Sequence, residues 1–180
     1  NPTGADFVPW LREVKRAGYI GVTGFAGNDD FGWTWDMVNN PKRFADQLKS
    51  EGLALASVDI SLHMIALDEA QRVCDFMQAL DCDILVGTNK WRDRDYGEFA
   101  DWLNQIGTIA RQRGIRLYFH NNTAGMGETR AEVEQVLSLV DRSLVHAMVD
   151  LGHATKDFAA QPVAERAIRF LRDHWDEIDF

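Results

Sequence analysis

Apolar positions along this chain switch between two periods. Short apolar runs at residues 19–22, 53–58, 84–86, 115–119 and 144–149 recur roughly thirty residues apart, the size of one strand-plus-helix unit. Between them the spacing becomes that of an amphipathic helix. Phe7, Trp10, Leu11 and Val14 share one face before Gly18; Phe44, Ala45 and Leu48 share another before Gly52; Ala70, Val73, Cys74 and Met77 precede the third run. Phe99, Trp102, Leu103, Ile106 and Ala110 end at Gly114, and Val133, Val136, Leu137 and Val140 follow Thr129 and Glu132, a capping-box pair. Glycine just past the last turn is a helix stop signal. A final helix is expected from Pro162, carrying Ala164, Ile168, Leu171 and Trp175, and Trp10, Trp102 and Trp175 are expected in the core. Residues 178–180 fall where another strand should begin.

Strands and helices alternating with short connections predict an α/β fold with a parallel sheet. No glycine-rich phosphate loop follows any strand, whereas polar residues with ligand chemistry follow nearly every one, which favours a (β/α)8 barrel over an open doubly wound sheet. They are Asn28, Asp29 and Asp30, then His63, then Asn89 and Lys90, then the stretch from His120 to Thr129, and finally Asp150 and His153. A barrel of this kind takes roughly 250 residues. With 180 residues, the chain is expected to be a single partial barrel domain, 1–180, of five to six βα units, lacking the first strand and the last two units.

Composition narrows the function. A net charge of −9 without a basic stripe argues against nucleic acid as a partner, and no apolar run is long enough to span a membrane. Without a signal-like start, and with Cys74 and Cys82 read as reduced core thiols, a cytoplasmic location is expected.

The run His120-Asn121-Asn122-Thr123-Ala124-Gly125-Met126-Gly127-Glu128-Thr129, followed by Asp150-Leu151-Gly152-His153, resembles the HPHxGTxVET and DTGH motifs of the xylose-isomerase-like TIM-barrel superfamily, in particular its sugar phosphate isomerase/epimerase and inosose dehydratase branch. The first motif matches without a gap, and residues 10–19 are similar to that family's first helix and the strand after it. Asn122 stands where the family carries a second histidine.

The resemblance implies a divalent metal at the barrel mouth, with Glu128 and Asp150 as its two carboxylate ligands here and a histidine and glutamate from later strands completing the shell. Mn²⁺, Mg²⁺ or Co²⁺ would suit such ligands, with Zn²⁺ as a further option. His120 and His153 are the implied acid, base or substrate-orienting groups. Read from the residues themselves, Lys90 suits a substrate oxygen, Trp33 and Trp35 are candidate sugar-stacking rings, the Asn122 amide offers hydrogen bonds, and His63 is a candidate sugar contact whose plain reading is a hydrogen-bonded structural histidine. The implied activity is isomerisation, epimerisation or dehydration of a sugar, keto-sugar or keto-inositol; the alternative is a non-catalytic barrel that binds a sugar or serves as a subunit. Plain structural roles stand beside each assignment: Asp150 as a helix cap, Glu128 as a first-turn acid, Lys90 as the partner of Asp93, and Trp33 and Trp35 as plugs of a loop over residues 28–40. The exposed edges of a partial barrel call for a second copy or a complementing chain.

Overall fold

In a computed structural model of the chain, residues 7–26, 33–159 and 162–178 are described. Five strands, β1 (Gly21–Ala26), β2 (Ala54–Ser61), β3 (Ile84–Thr88), β4 (Arg116–His120) and β5 (Val145–Met148), form one sheet in the order β1-β2-β3-β4-β5. Every neighbouring pair is parallel. Because each strand lies beside its predecessor, the sheet has no point where the winding reverses, as a doubly wound sheet must. It is an arc of a barrel wall.

Helices α1 (Phe7–Arg16), α2 (Trp33–Asn39), α3 (Pro41–Ser50), α4 (Leu67–Ala79), α5 (Tyr96–Arg111), α6 (Arg130–Leu139), α7 (Leu151–Asp157) and α8 (Arg166–Asp173) alternate with the strands. Val22, Val58, Ile60, Leu85, Leu117, Phe119, Val145 and Ala147 turn outward into one core shared with Leu11, Leu48, Val73, Leu103, Ile106 and Val136 of the helices. Strand alternation sends the intervening residues to the other face. There Val86 and Tyr118 are buried without belonging to that helix-side core, and Phe25, Asp59, Ser61, Thr88 and His120 line a cavity.

The expected stop and start signals hold. Gly18, Gly52 and Gly114 adopt positive φ after their helices, and Thr129 and Glu132 form the reciprocal capping box of α6. Cys74 and Cys82 are free and buried. Burial pushes the Cys74 thiol up to about 12.

Three expectations are corrected. The first strand starts at Gly21 and runs on to Ala26, because the chain turns at Gly18 and leaves Tyr19 and Ile20 exposed. Part of the expected loop at 28–40 is the short helix α2; the side chains of Trp33 and Trp35, like Asn28, Asp29 and Asp30, lie outside the described residues. The last helix begins at Arg166 after a short 3-10 turn, and it buries Ala167 and Phe170. Phe170 meets Phe158 at a ring-centroid distance of 5.1 Å, so this large ring sets the helix's rotation and turns Ile168 outward, 52% exposed, while Trp175 lies beyond the helix in a 3-10 turn and is 70% exposed rather than in the core. Trp10 and Trp102 pack on the core as expected. Ile178 makes an isolated parallel bridge to Ala147 of β5, and residues 179 and 180, where a strand is expected to continue, lie outside the described residues.

Candidate metal centre

The C-terminal ends of β4 and β5 are locked together by an asparagine acting as a peptide group. Asn121, 1% exposed, donates its amide N–H to the Asp150 carbonyl at 3.1 Å and accepts the Asp150 N–H at 2.7 Å. Asn89, fully buried at the end of β3, does the same to Met126, with bonds of 2.9 and 3.0 Å. The two clamps fix the loop after β4 at both ends. Gly125 in that loop leaves no room for a side chain, since a Cβ there would lie 2.1 Å from the Asn89 carbonyl oxygen.

On this frame His120, Asp150 and His153 converge, their ligand-type atoms all within 4.8 Å of one another. Asp150 divides its carboxylate between two tasks. Oδ1 accepts the His153 backbone N–H at 2.8 Å and so caps α7, while Oδ2 lies 3.4 Å from His120 Nε2. The cap reading and the ligand reading of Asp150 are therefore compatible. The His120 and His153 rings stand edge to face, 5.6 Å apart. Thr123 Oγ1 lies 3.0 Å from His153 Nδ1 and donates to Asp157.

Burial depresses the affinity of His120 for a proton, opposed by the Asp150 carboxylate and reinforced by His153, and the balance holds its pKa below the ordinary value. Burial pushes the Asp150 carboxyl up, but the His153 backbone N–H, the charges of His153 and His120 and the Gly152 N–H outweigh it and hold the group below its ordinary value. An ionised carboxylate beside a neutral imidazole is the protonation state in which both offer lone pairs to a cation. Two imidazoles and one carboxylate fit a divalent transition ion, with more nitrogen than the carboxylate-rich set implied from the sequence motifs.

The group opens onto a cavity of about 290 Å³ lined by Asp59, Ser61, His63, Lys90, Asn122 and His153, among others. Lys90 is exposed and makes no ion pair with Asp93 or any other described residue. His63 has a buried Nδ1 without a hydrogen-bond partner among the described residues, and burial and then the Lys90 charge lower its pKa. Its ring meets Trp91 edge-on at 6.3 Å. Thus the cavity brings together six sequence-chosen side chains: His120, Asp150 at its edge, His153, His63, Lys90 and Asn122. Glu128 stands apart. Its carboxylate is tied to the Arg92 guanidinium, and it does not join the three-residue group.

Asp59 escaped the sequence reading. It sits in mid-strand on β2, and no described residue gives it a hydrogen bond or ion pair; burial alone raises its pKa from 3.8 to about 6. The period-two series Ser57, Asp59, Ser61, His63 was its signal. Thr123 and Asp157 were also missed, although Asp150, His153 and Asp157 follow the i, i+3, i+7 spacing of one helix face.

A family model described as the xylose isomerase-like TIM barrel matches residues 11–178. An inosose dehydratase from Mesomycoplasma hyopneumoniae is 26% identical over 165 residues, covering 79% of this chain and 52% of that protein. The chain spans about half, or less, of the length of the curated relatives it matches. Among solved structures, D-allulose 3-epimerase from Methylomonas sp. in complex with D-allulose superposes with a TM-score of 0.74 at 14% identity, over 99% of this chain and 66% of that one. A xylose isomerase-like TIM barrel protein from Mycobacterium smegmatis in complex with magnesium gives 0.73 at 16% identity, over 94% and 64%. The consecutive parallel arc, its polar mouth and the match over nearly the whole chain lead to one assignment: the chain belongs to the xylose isomerase-like TIM barrel family.

Proposed function

We propose that this chain is a partial barrel domain of a metal-dependent enzyme that isomerises, epimerises or dehydrates a sugar, keto-sugar or keto-inositol. The observation that carries this reading is the convergence of His120, Asp150 and His153 at the mouth of a polar cavity. Those three residues would hold a divalent ion, Mn²⁺, Co²⁺ or Zn²⁺ by their donor set and Mg²⁺ by analogy with the Mycobacterium smegmatis complex. Bound there, the ion supplies Lewis acidity toward a carbonyl and its neighbouring hydroxyl, making the adjacent C–H or O–H more acidic.

The remaining work falls to protein side chains. Asn122 and Ser61 offer hydrogen bonds for polyol hydroxyls, and Lys90 offers a cation to an oxygen that gains negative charge. His63 is held toward its neutral form by burial and by Lys90, so it suits acceptance of a hydroxyl proton. Asp59, with its pKa raised to about 6, holds or releases a proton near neutral pH at its carboxyl oxygens. The reading is supported further by the kinship with inosose dehydratases and by the fold shared with sugar epimerases.

The edge of β1 pairs with no strand among the described residues, and Trp10, Val14, Tyr19 and Val22 form an apolar hollow beside it. That edge is where a complementing strand or a second copy would add to the wall. Among the described residues no helix is long and apolar enough to cross a membrane.

The decisive experiment is calorimetric titration with Mn²⁺, together with turnover on a panel of ketoses and keto-inositols. Asp150→Asn removes a charge from the proposed ligand set and is expected to abolish stoichiometric binding and turnover together. A wild-type protein that takes up no divalent ion, or an Asp150→Asn variant with full metal and full turnover, overturns the assignment.

A further inference from the structure

The proton count around Thr123 fixes the state of His153. A threonine hydroxyl has one proton to give and two lone pairs that accept. The Thr123 hydroxyl gives its proton to the Asp157 carboxylate. One lone pair accepts from the Lys156 ammonium at 3.2 Å, and the remaining polar contact of that oxygen is His153 Nδ1 at 3.0 Å. With its proton already committed, the hydroxyl can only accept from the ring, so Nδ1 must carry the hydrogen. In the neutral ring the lone pair is then on Nε2.

We propose that Thr123 and Asp157 are positioning residues that lock His153 in its Nδ1–H tautomer, so that Nε2 is the nitrogen offered to the cation. The inference rests on the metal reading of the His120, Asp150 and His153 group, yet the position of the proton is measurable with no metal present. Asp157 acts through Thr123. It lies one helical turn beyond His153 on α7, its side chain 10% exposed, with the Lys156 ammonium 3.7 Å from its other oxygen. Thr123 lies on the loop that the Asn89 and Asn121 clamps hold in place, so the acceptor and the ring are fixed by different elements. Locking a ligand imidazole through its distant nitrogen commonly contributes about 10–100-fold to metal affinity or activity. The Nδ1 contact with Thr123 orients the ring, while the bond from the His153 backbone N–H to Asp150 Oδ1 fixes where the residue starts α7.

Two substitutions act on the lock in different ways. Thr123→Val deletes the acceptor and frees the ring to exchange tautomers. Asp157→Ala leaves the hydroxyl in place but releases its proton, which can then turn toward Nδ1 and drive the ring hydrogen to Nε2. Thr123→Ser keeps the same hydroxyl chemistry.

Long-range ¹⁵N correlation spectra of the metal-free protein read the tautomer directly, and Mn²⁺ calorimetry reads the consequence. In the wild type, Nδ1 is expected to show the protonated shift and Nε2 the lone-pair shift. Thr123→Val is expected to give a mixture and Asp157→Ala a shift toward Nε2–H, each with Mn²⁺ affinity about 10–100-fold weaker, while Thr123→Ser restores both readouts. A wild-type His153 protonated on Nε2 overturns the proposal by itself, without any variant having to fold. A tautomer unmoved by both Thr123→Val and Asp157→Ala overturns it as well. If wild type shows the Nδ1–H form but takes up no Mn²⁺, the metal reading fails while the tautomer lock stands.

Discussion

The two faces of the sheet obey different rules. On the outer face, Val58, Ile60, Leu85, Leu117 and Phe119 are almost wholly buried against helices, and their identities are what hydrophobic packing demands. On the inner face Ser57, Asp59, Ser61, Thr88, Arg116 and His120 occupy the alternate positions of the same strands; Asp59, Ser61, Thr88 and His120 face a cavity, and the Asp59 carboxyl has no hydrogen-bond or ion-pair partner among the described residues. A residue that is awkward for stability and convenient for chemistry is most economically explained by function. The contrast makes the outer face the support and the inner face the instrument. Substitutions on the two should therefore fail in opposite ways.

The largest effect is expected on the outer face. Leu85 is fully buried on β3, so Leu85→Ala removes its packing and leaves a cavity, costing about 2–5 kcal/mol. Chemical denaturation measures this loss, and Mn²⁺ binding in the protein that remains folded should be unchanged. A cost below 1 kcal/mol would mean that the outer face is not the rigid layer described.

On the inner face the sign reverses. Asp59 has a folded pKa of about 6, raised by burial from its ordinary value of 3.8. Between these values the folded state holds a proton that the unfolded chain has released, so stability falls as pH rises through that window. Above about pH 6 the penalty is fully present; below pH 3.8 both states are protonated and it is gone. Asp59→Asn should thus stabilise the protein at pH 8 by on the order of 2 kcal/mol, with the gain shrinking between pH 6 and pH 4. The same variant should lose turnover while keeping metal. A destabilised Asp59→Asn protein at pH 8 would show that the carboxylate is a structural group with a partner.

How far the chain could be read without coordinates follows from the same division. Outer-face side chains advertise themselves, since periodicity located all five strands and most of the helices, and glycine and threonine marked their ends. Two outer-face details were hidden. The pairing of β1 with β2 slips between Val22 and Thr23, which leaves Ala56 as an extra residue, so Leu55 and Val58 both turn to the helices and the run looks continuous. In α8 two apolar sets one residue apart compete, and only contact with Phe158 selects Phe170 over Ile168.

The mouth was legible where a motif fixed both type and spacing, as at His120, Asp150 and His153. It was not legible where the outcome depends on which neighbour arrives first. Glu128 is held by Arg92 from the preceding unit, and Asn89 serves the backbone of the next loop although its type and place suggest a ligand. Neither pairing leaves a trace in local sequence, because the partners are more than thirty residues away.

The smallest expected effect tests how completely the inner face is given over to solvent and substrate. Thr23 and Ser57 share a hydroxyl bond of 2.9 Å across β1 and β2, on the inner face and in a wetter part of the sheet than the core. A neutral hydrogen bond with access to water contributes about 0.5–1 kcal/mol, since water replaces either partner once it is lost. Ser57→Ala is therefore expected to cost at most that much and to leave metal binding and turnover intact. Combined with Leu85→Ala, its cost should simply add, because the two side chains lie on opposite faces and share no contact. A loss above about 2 kcal/mol, or strong non-additivity in the double variant, would show that the inner layer is packed as tightly as the outer one, and the division between support and instrument would have to be redrawn.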